Sequence, residues 1–294
     1  MKILHRFLCG AFIAAGLTGA AAAQGPEAVL KLEPYRRGVA IRVEAGGKPG
    51  LFTFDTAGGI TSVSPDFARA AGCKPWGQLV GFQMTGNRLA EPRCDAFAFT
   101  SGSVKLVAPV AGVLDITPYL AKDAKPVDGA LALDVFAGRT ITIDFAAGEL
   151  VLETADSARE RVRGARELPI HLSREVGGLA LTPLVDVPTK QGVLRFELDS
   201  GNGGTLLVSK PYAALFGLKA DAEGPQPGSI PIADGVVATG LVFTPDMTID
   251  GNLGMPFLKD WAITLDLAEG RMWLKPSRAM APSGMGVPPP PPRG

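Results

Sequence analysis

Apolar and polar residues alternate along most of the chain in short runs that are typical of β-strands. Runs at residues 39–44 and 51–54 are separated by a glycine-rich turn, and a matching pair follows at residues 179–187 and 193–198. Alternation with a period of two, bounded by turn residues, predicts antiparallel hairpins. The pattern therefore predicts a mostly β protein.

Short helices are predicted after each of these hairpins. Ser64 is expected to cap a helix that begins at Pro65 and stops at Gly72, because hydroxyl residues favour the cap position and proline the first turn. Ser209 and Gly217 delimit a second predicted helix at the corresponding place in the later part of the chain.

A long internal repeat organises these elements. Residues 127–152 align without gaps on residues 249–274, which indicates a duplicated lobe rather than chance composition. We predict an N-terminal lobe at residues 24–156, a linker at 157–167 and a C-terminal lobe at 168–276. The linker is expected to contain one helical turn capped by Ser157 and Glu160.

Both ends of the chain differ in composition from a packed lobe. A basic N-terminus, an apolar stretch and a small-residue cleavage site predict a signal peptide at residues 1–23 and export to the periplasm or the medium. The proline-rich segment 277–294 is expected to be extended and disordered. Since an exported compartment is oxidising, Cys73 and Cys94 are candidates for a disulfide.

Charge and histidine content narrow the possible functions. The chain has 29 basic and 29 acidic side chains, so a nucleic-acid or anionic-membrane partner is not expected. Of its 2 histidines only His171 lies outside the predicted signal peptide, which excludes a zinc site built from several histidines. His171 lies in an alternating run and is interpreted as a half-exposed sheet residue. The candidate catalytic groups are therefore mostly carboxylates.

Two strand-like runs each end in an aspartate that is followed by a hydroxyl residue and glycines. These segments are Asp55-Thr56-Ala57-Gly58-Gly59 and Asp199-Ser200-Gly201-Asn202-Gly203. If the lobes pack about a pseudo-twofold axis, Asp55 and Asp199 meet there. Two carboxyl groups at close range share a proton, so one can act as a base on water while the other polarises a carbonyl.

Each copy also contains a hairpin between its two repeated halves, turning at Gly86-Asn87 in the first copy and at Asp234-Gly235 in the second. Either hairpin could close over a cleft, and an ordinary edge hairpin is the alternative, at least as strong for the second copy. Four further aspartates repeat between the copies and are interpreted as turn residues: Asp128, Asp144, Asp250 and Asp266.

The two aspartate segments, each followed by an Asp-Gly-x-Leu segment, resemble the retropepsin and pepsin clan of aspartic proteases. The layout is similar to bacterial exported retropepsin-like proteins with two lobes in one chain, and the resemblance covers roughly residues 30–274. It implies two β-barrel lobes in a pseudo-twofold arrangement, with Asp55 and Asp199 as the catalytic pair. Supporting roles fall to Thr56, Ala57, Gly58, Ser200 and Gly201.

The resemblance implies an aspartic endopeptidase that acts on peptides or unfolded proteins without a metal or organic cofactor, and one chain with both lobes predicts a monomer. The first lobe departs from the family at Ala57, where the family has glycine, and at Ala132, where the second copy has Gly254. The Cβ of Ala57 could displace the carboxyl groups, and Gly58 could absorb the displacement. A catalytically inactive periplasmic peptide-binding protein is therefore the alternative.

Overall fold

The structure is a computed structural model that describes residues 24–120 and 122–279. The predicted signal peptide lies outside the described residues, as does the predicted tail beyond residue 279. The described chain is mostly β, as predicted. Among its helices, each is too short or too polar to cross a membrane.

Within the residues that the structure describes, the first lobe contains ten strands and one α-helix. The helix is α1 (Pro65–Ala70), and a 3₁₀ helix covers Leu133–Phe136. The strands are β1 (Ala28–Tyr35), β2 (Gly38–Ala45), β3 (Lys48–Phe54), β4 (Ser62–Val63), β5 (Trp76–Phe82), β6 (Arg88–Ser101), β7 (Val104–Val113), β8 (Gly129–Leu131), β9 (Thr140–Asp144) and β10 (Glu149–Leu152). A further 3₁₀ turn lies at Thr117–Tyr119.

The second lobe repeats this plan after a connecting helix, α2 (Ala155–Val162). Its other helices are α3 (Glu175–Gly178), a 3₁₀ helix at Lys210–Phe216 and α4 (Met255–Leu258). The strands are β11 (Arg166–Ser173), β12 (Thr182–Thr189), β13 (Gly192–Leu198), β14 (Leu206–Val208), β15 (Gln226–Ala233), β16 (Val236–Phe243), β17 (Gly251–Leu253), β18 (Trp261–Asp266) and β19 (Arg271–Pro276).

One antiparallel sheet joins the two lobes, in the order β1-β10-β9-β18-β19-β11. At its centre β9 of the first lobe pairs with β18 of the second, and Thr142 lies opposite Thr264. The hydroxyl oxygens of these two threonines are 2.9 Å apart. The lobes are therefore connected by a continuous ladder of backbone hydrogen bonds, with repeated residues facing each other at the junction.

Each lobe also has its own sheet, in which the strand before the aspartate loop is central. β3 runs parallel to β8, and β13 runs parallel to β17. Phe52 and Phe54 on β3 are buried, as are Phe196 and Leu198 on β13. Because these apolar side chains anchor each strand in the core, the residue that follows the strand emerges at a fixed point between the lobes.

The predicted helices differ in detail from those observed. Ser64 caps α1 as expected, and its hydroxyl accepts the Phe67 N–H at 3.2 Å. In the second lobe the predicted helix lies between Ser209 and Gly217 as expected, but it is a 3₁₀ helix and the Ser209 side chain makes no capping bond. The segment has one residue more before the helix than its counterpart, and Ser209 Oγ is instead 3.5 Å from the Met247 carbonyl.

The helix in the linker is longer than the single turn that the sequence predicted. α2 begins at Ala155 and is capped by Thr154, whose hydroxyl accepts the Ser157 N–H at 3.2 Å. Ser157 returns the bond, since its hydroxyl accepts the Thr154 N–H at 2.9 Å. Ser157 therefore occupies the N3 position of a capping box, and not the N-cap position that was predicted for it.

A disulfide joins Cys73, just after α1, to Cys94 on β6, with the Cα atoms 6.2 Å apart. It fixes the base of the first hairpin, β5–β6, against the body of the first lobe. The outer part of that hairpin carries exposed apolar side chains, of which Phe82 is 64% exposed.

Candidate active site

The aspartate loops of the two lobes meet between them. Asp55 N–H donates to the Leu131 carbonyl and Asp199 N–H to the Leu253 carbonyl, both at 3.0 Å, so the two residues leave their strands in the same way. Asp199 is only 4% exposed. Both carboxyl groups converge on Gly201, where an added Cβ would lie 2.7 Å from Asp55 Oδ2 and 3.0 Å from Asp199 Oδ1. The structure therefore brings the two sequence-predicted aspartates together as one pair.

Thr56 and Ser200 lock the two loops together across the lobe boundary. The Thr56 hydroxyl donates to the Leu198 carbonyl at 2.6 Å and accepts the Ser200 N–H at 2.9 Å. The Ser200 hydroxyl donates to the Phe54 carbonyl at 2.8 Å and accepts the Thr56 N–H at 3.0 Å. Each hydroxyl thus satisfies two buried backbone groups of the opposite lobe, and the four bonds hold the aspartates in register.

This hydroxyl lock predicts a matched difference between two variants. Thr56→Val leaves the Ser200 N–H and the Leu198 carbonyl buried without a partner, which is expected to lower the free energy of unfolding by about 1–3 kcal/mol. Thr56→Ser keeps the hydroxyl and is expected to lose only about 0.8 kcal/mol, for one buried methyl group. Urea unfolding of both variants measures the difference, and equal losses would contradict a role for the hydroxyl.

The surroundings of the pair favour one proton shared by two carboxyl groups. Burial and the neighbouring Asp199 raise the pKa of Asp55 from its ordinary 3.8 to about 7. Burial also raises the pKa of Asp199, although the N–H groups that donate to its carboxylate act to lower it. At neutral pH the pair therefore holds a proton that ordinary aspartates would have released.

The donors around the pair are unequally distributed. Asp55 Oδ1 accepts the Ala57 N–H at 3.0 Å. Asp199 Oδ1 accepts the Gly201 and Asn202 N–H groups at 2.8 and 3.1 Å, and its Oδ2 accepts Asn252 Nδ2 at 2.6 Å. Since N–H donors stabilise the ionised form, this arrangement favours the charge on Asp199 and the proton on Asp55.

Ala57 does not separate the carboxyl groups. With the alanine in place both groups still lie beside Gly201, so the separation considered from the sequence is not observed. Its counterpart Gly201 has no such freedom, because a Cβ built there would lie 2.7 Å from Asp55 Oδ2 and 3.0 Å from Asp199 Oδ1. The glycine is required on the second loop and is dispensable on the first.

The other departure of the first lobe has a steric explanation. A Cβ on Gly254 would lie 2.4 Å from the Thr205 carbonyl oxygen, 2.5 Å from the Asn202 carbonyl oxygen and 2.8 Å from Asn202 Cγ, so this position must be glycine. In the first lobe the residue that corresponds to Asn202 is Gly58, which has no side chain. Ala132 fits there, with its Cβ 3.3 Å from the ideal Cβ position of Gly58. Each lobe thus pairs one larger residue with one glycine.

The first hairpin, called the flap below, reaches from its own lobe to the second lobe. At its tip the Met84 carbonyl accepts the backbone N–H of Thr248 at 2.8 Å and the Thr248 hydroxyl at 3.1 Å. Thr248 belongs to the second lobe, so the flap bridges both lobes. The second hairpin instead packs Ile230 and Ile232 into its own lobe and is an ordinary sheet hairpin.

The other singled-out polar residues lie in structural positions. Asp128 accepts the Leu51 N–H at 2.9 Å and Asp250 the Arg195 N–H at 2.8 Å, which tie the turns to the neighbouring strands. Asp144 and Asp266 accept N–H groups of the turns that follow them. His171 lies on β11 with its Nε2 3.0 Å from Asp186 Oδ1, and its side chain is 43% exposed.

The sequence analysis missed two residues beside the pair. Asn252, on β17, is fully buried and contacts Asp199 directly. Glu197, on β13, is largely buried, and burial together with the Asp199 charge raises its pKa to about 8. The available signal was an amide inside an otherwise apolar segment, at a position where the first copy has Ala130.

No protein-family model matches the sequence, and no curated protein matches it. Solved structures do match. Basic 7S globulin from soybean has a TM-score of 0.54 at 11% identity, over 85% of this chain and 94% of the globulin. Conglutin gamma, a basic 7S globulin from lupine seeds, has a TM-score of 0.52 at 11% identity, over 85% of this chain and 94% of its own.

An aspartic proteinase from Irpex lacteus gives a TM-score of 0.52 at 12% identity, over 86% of this chain and 98% of the proteinase. The chain therefore has the bilobal fold of pepsin-like aspartic proteinases, which confirms the predicted fold class. Likeness at such low identity concerns the fold alone, and proteins with that fold include two named globulins as well as a proteinase.

Proposed function

We propose that this protein is an exported aspartic-type endopeptidase of the bacterial retropepsin-like kind, with Asp55 and Asp199 as its catalytic pair. The observation that carries the proposal is the convergence of the two carboxyl groups on Gly201, held between two lobes by four reciprocal hydroxyl bonds. Loop aspartates that only cap turns, such as Asp128 and Asp250, are not paired with each other in this way.

The distribution of donors assigns a role to each carboxyl group. Asp199, as carboxylate, takes a proton from a water molecule whose oxygen then bonds to the peptide carbonyl carbon. Asp55 gives its proton to the carbonyl oxygen, which yields a neutral tetrahedral intermediate. As the carbon–nitrogen bond breaks, Asp199 passes its proton to the leaving nitrogen and Asp55 recovers one from a hydroxyl of the intermediate. Both groups return to their starting states.

The flap indicates how substrate reaches this pair. Because Met84 is hydrogen-bonded to Thr248, the tip must lift before an extended chain can lie across Asp55 and Asp199. The exposed Phe82 beside the tip offers apolar surface to such a chain. These features favour peptides and unfolded proteins as substrates.

Export is supported by two independent features. The N-terminal composition is that of a signal peptide, and the Cys73–Cys94 disulfide suits an oxidising compartment. A site completed within one chain supports a monomer as the working form.

The test of function is incubation of the purified protein with a reduced, unstructured protein, followed by mass spectrometry of the products. New internal termini are expected from an endopeptidase. Intact substrate that co-elutes with the protein would instead support the peptide-binding alternative and overturn the proposal.

The raised pKa of Asp55 predicts the pH dependence of the activity. Asp55 must carry its proton, which it holds below about pH 7 and loses above it. We therefore expect kcat/KM to fall about tenfold per pH unit above about pH 7, because one essential proton is lost. The measurement is kcat/KM for a fluorogenic peptide at successive pH values, and a rate that still rises well above neutral pH would contradict the assignment.

The same shift has a consequence for stability. The folded state holds the Asp55 proton more tightly than the unfolded chain does, so this group stabilises the fold at low pH. That contribution is lost as pH rises from 3.8 to about 7. Urea unfolding across this interval provides a measurement that does not depend on activity.

A further inference from the structure

A chain of side-chain amides lies behind Asp199. Asn252 Nδ2 donates to Asp199 Oδ2 at 2.6 Å, and Asn252 Oδ1 accepts Asn202 Nδ2 at 2.9 Å. Asn202 Oδ1 in turn accepts the Thr205 hydroxyl at 3.0 Å and the Thr205 N–H at 3.3 Å. The chain thus runs from the backbone of the second lobe to the carboxyl group of the pair.

The backbone fixes the direction of every bond in this chain. Because the Thr205 N–H can only donate, Asn202 must present its oxygen to it, and its Nδ2 therefore faces Asn252. Asn252 must accept with its oxygen and so presents its own NH₂ group to Asp199. Asp199 Oδ2 is thereby required to accept this bond, which favours the ionised form of Asp199.

The first lobe has no residues that could build the same chain. Gly58 corresponds to Asn202 and Ala130 to Asn252, and neither carries a side-chain amide. Thr61, which is the sixth residue after Asp55 as Thr205 is after Asp199, donates its hydroxyl to Asp134 at 2.6 Å instead. The support of the pair is therefore one-sided, although the loops themselves repeat.

We infer that Asn252, oriented by Asn202, is a positioning residue that keeps Asp199 ionised and so leaves the shared proton on Asp55. The inference rests on the proposed function for its catalytic meaning. The order in which the two aspartates ionise can be measured whether or not the protein has any activity.

Three further titratable groups act on this cluster. Asp55 faces Asp199 from the end of β3, and Glu197 lies on β13 with its Oε2 3.5 Å from Asn252 Nδ2. Glu175, on α3, acts on Glu197 through its charge. Burial raises the pKa of Glu197 to about 8. The Asn252 NH₂ group has two hydrogens, so its longer contact with Glu197 leaves the bond to Asp199 in place.

The test is a carbon-13 NMR titration of protein labelled at the aspartate carboxyl carbons, with the resonances assigned by Asp55→Asn and Asp199→Asn. In the wild type Asp199 is expected to ionise at a lower pH than Asp55. Asn252→Ala, which installs the residue of the first lobe, removes one hydrogen bond to a charged group. The ionisation of Asp199 is then expected to move upward by about 1–2 pH units.

Activity provides a second readout. In Asn252→Ala we expect kcat to fall by about 10–100-fold with little change in KM, and the loss of activity in acid to begin at a higher pH. Asn202→Ala keeps the Asn252 donor but frees its orientation, so a smaller shift of the same sign is expected. This variant also decides the inference if the buried Asn252→Ala variant does not fold. Gln191→Ala, at an exposed turn, is the matched control and is expected to change neither readout.

The outcomes separate the inference from the proposed function. An unchanged Asp199 ionisation in both asparagine variants would overturn the role of the amide chain, whether or not peptides are cleaved. If the Asp199 ionisation shifts in the variants but the wild-type protein cleaves no peptide, the role of the amide chain is supported and the proposed endopeptidase function is refuted.

Discussion

Asp55→Asn is expected to lower kcat/KM for peptide cleavage by about 10²–10⁴-fold while leaving the folded structure intact. An asparagine reproduces the protonated aspartate, since its oxygen can accept the Ala57 N–H and its NH₂ group can donate to Asp199. It cannot release a proton to the carbonyl oxygen of a substrate. Catalysis is therefore lost without loss of the hydrogen bonds that hold the loop.

Asp199→Asn provides the informative contrast. Its two oxygens accept N–H groups from Gly201, Asn202 and Asn252, so an NH₂ group on either side would face a donor. We expect loss of activity together with a loss of about 1–3 kcal/mol in the free energy of unfolding, from one buried donor left without a partner. Asp234→Asn, on the exposed hairpin turn, is the control and should behave as the wild type.

The two measurements are peptide cleavage and urea unfolding, made on all three variants at one pH. Cleavage by Asp55→Asn at the wild-type rate would refute the proposed pair. Equal stability of Asp55→Asn and Asp199→Asn would refute the unequal roles assigned to the two carboxyl groups.

Gly201→Ala is expected to lower kcat by about 10²-fold, because the added Cβ must displace at least one carboxyl group of the pair. The ideal Cβ lies 2.7 Å from Asp55 Oδ2, closer than such contacts occur. A displacement of about 1 Å at reacting groups can cost that much in rate. KM is expected to change less, since the clash lies at the pair rather than along the cleft.

The reciprocal change at the first loop is the matched control. Ala57→Gly gives the first loop the glycine that the second loop has at Gly201 and is expected to leave kcat within a few-fold of the wild type. Its stability is expected to fall by about 0.4–1 kcal/mol through greater freedom of the unfolded chain. A large gain in kcat from Ala57→Gly would show instead that the alanine impairs the pair, and a harmless Gly201→Ala would contradict the contact geometry.

Local patterns predicted much of this structure because local physics decides it. Period-two alternation placed the hairpins that lead into Asp55 and Asp199, and Ser64 with Pro65 placed α1. The repeat then predicted that the aspartates meet, since equivalent points of two lobes coincide at a pseudo-twofold axis.

The missed features depend on distances between segments that the sequence does not contain. The sequence left open whether Ala57 displaces the pair, because the position of its Cβ depends on the path of the backbone that carries it. Asn252 was passed over because its role requires Asp199 Oδ2 at 2.6 Å, from a strand far away in the chain. The bond between Met84 and Thr248 likewise arises only when the lobes have assembled.

The continuous sheet through β9 and β18 has a consequence for how the two halves can change. In a homodimer of identical lobes every substitution appears twice and faces its own copy at the axis, so an amide could not be added beside one aspartate alone. Here both halves are encoded once each and held together by backbone pairing. An asparagine could therefore enter one side only, with its glycine partner, and the two carboxyl groups could acquire separate duties without a second gene.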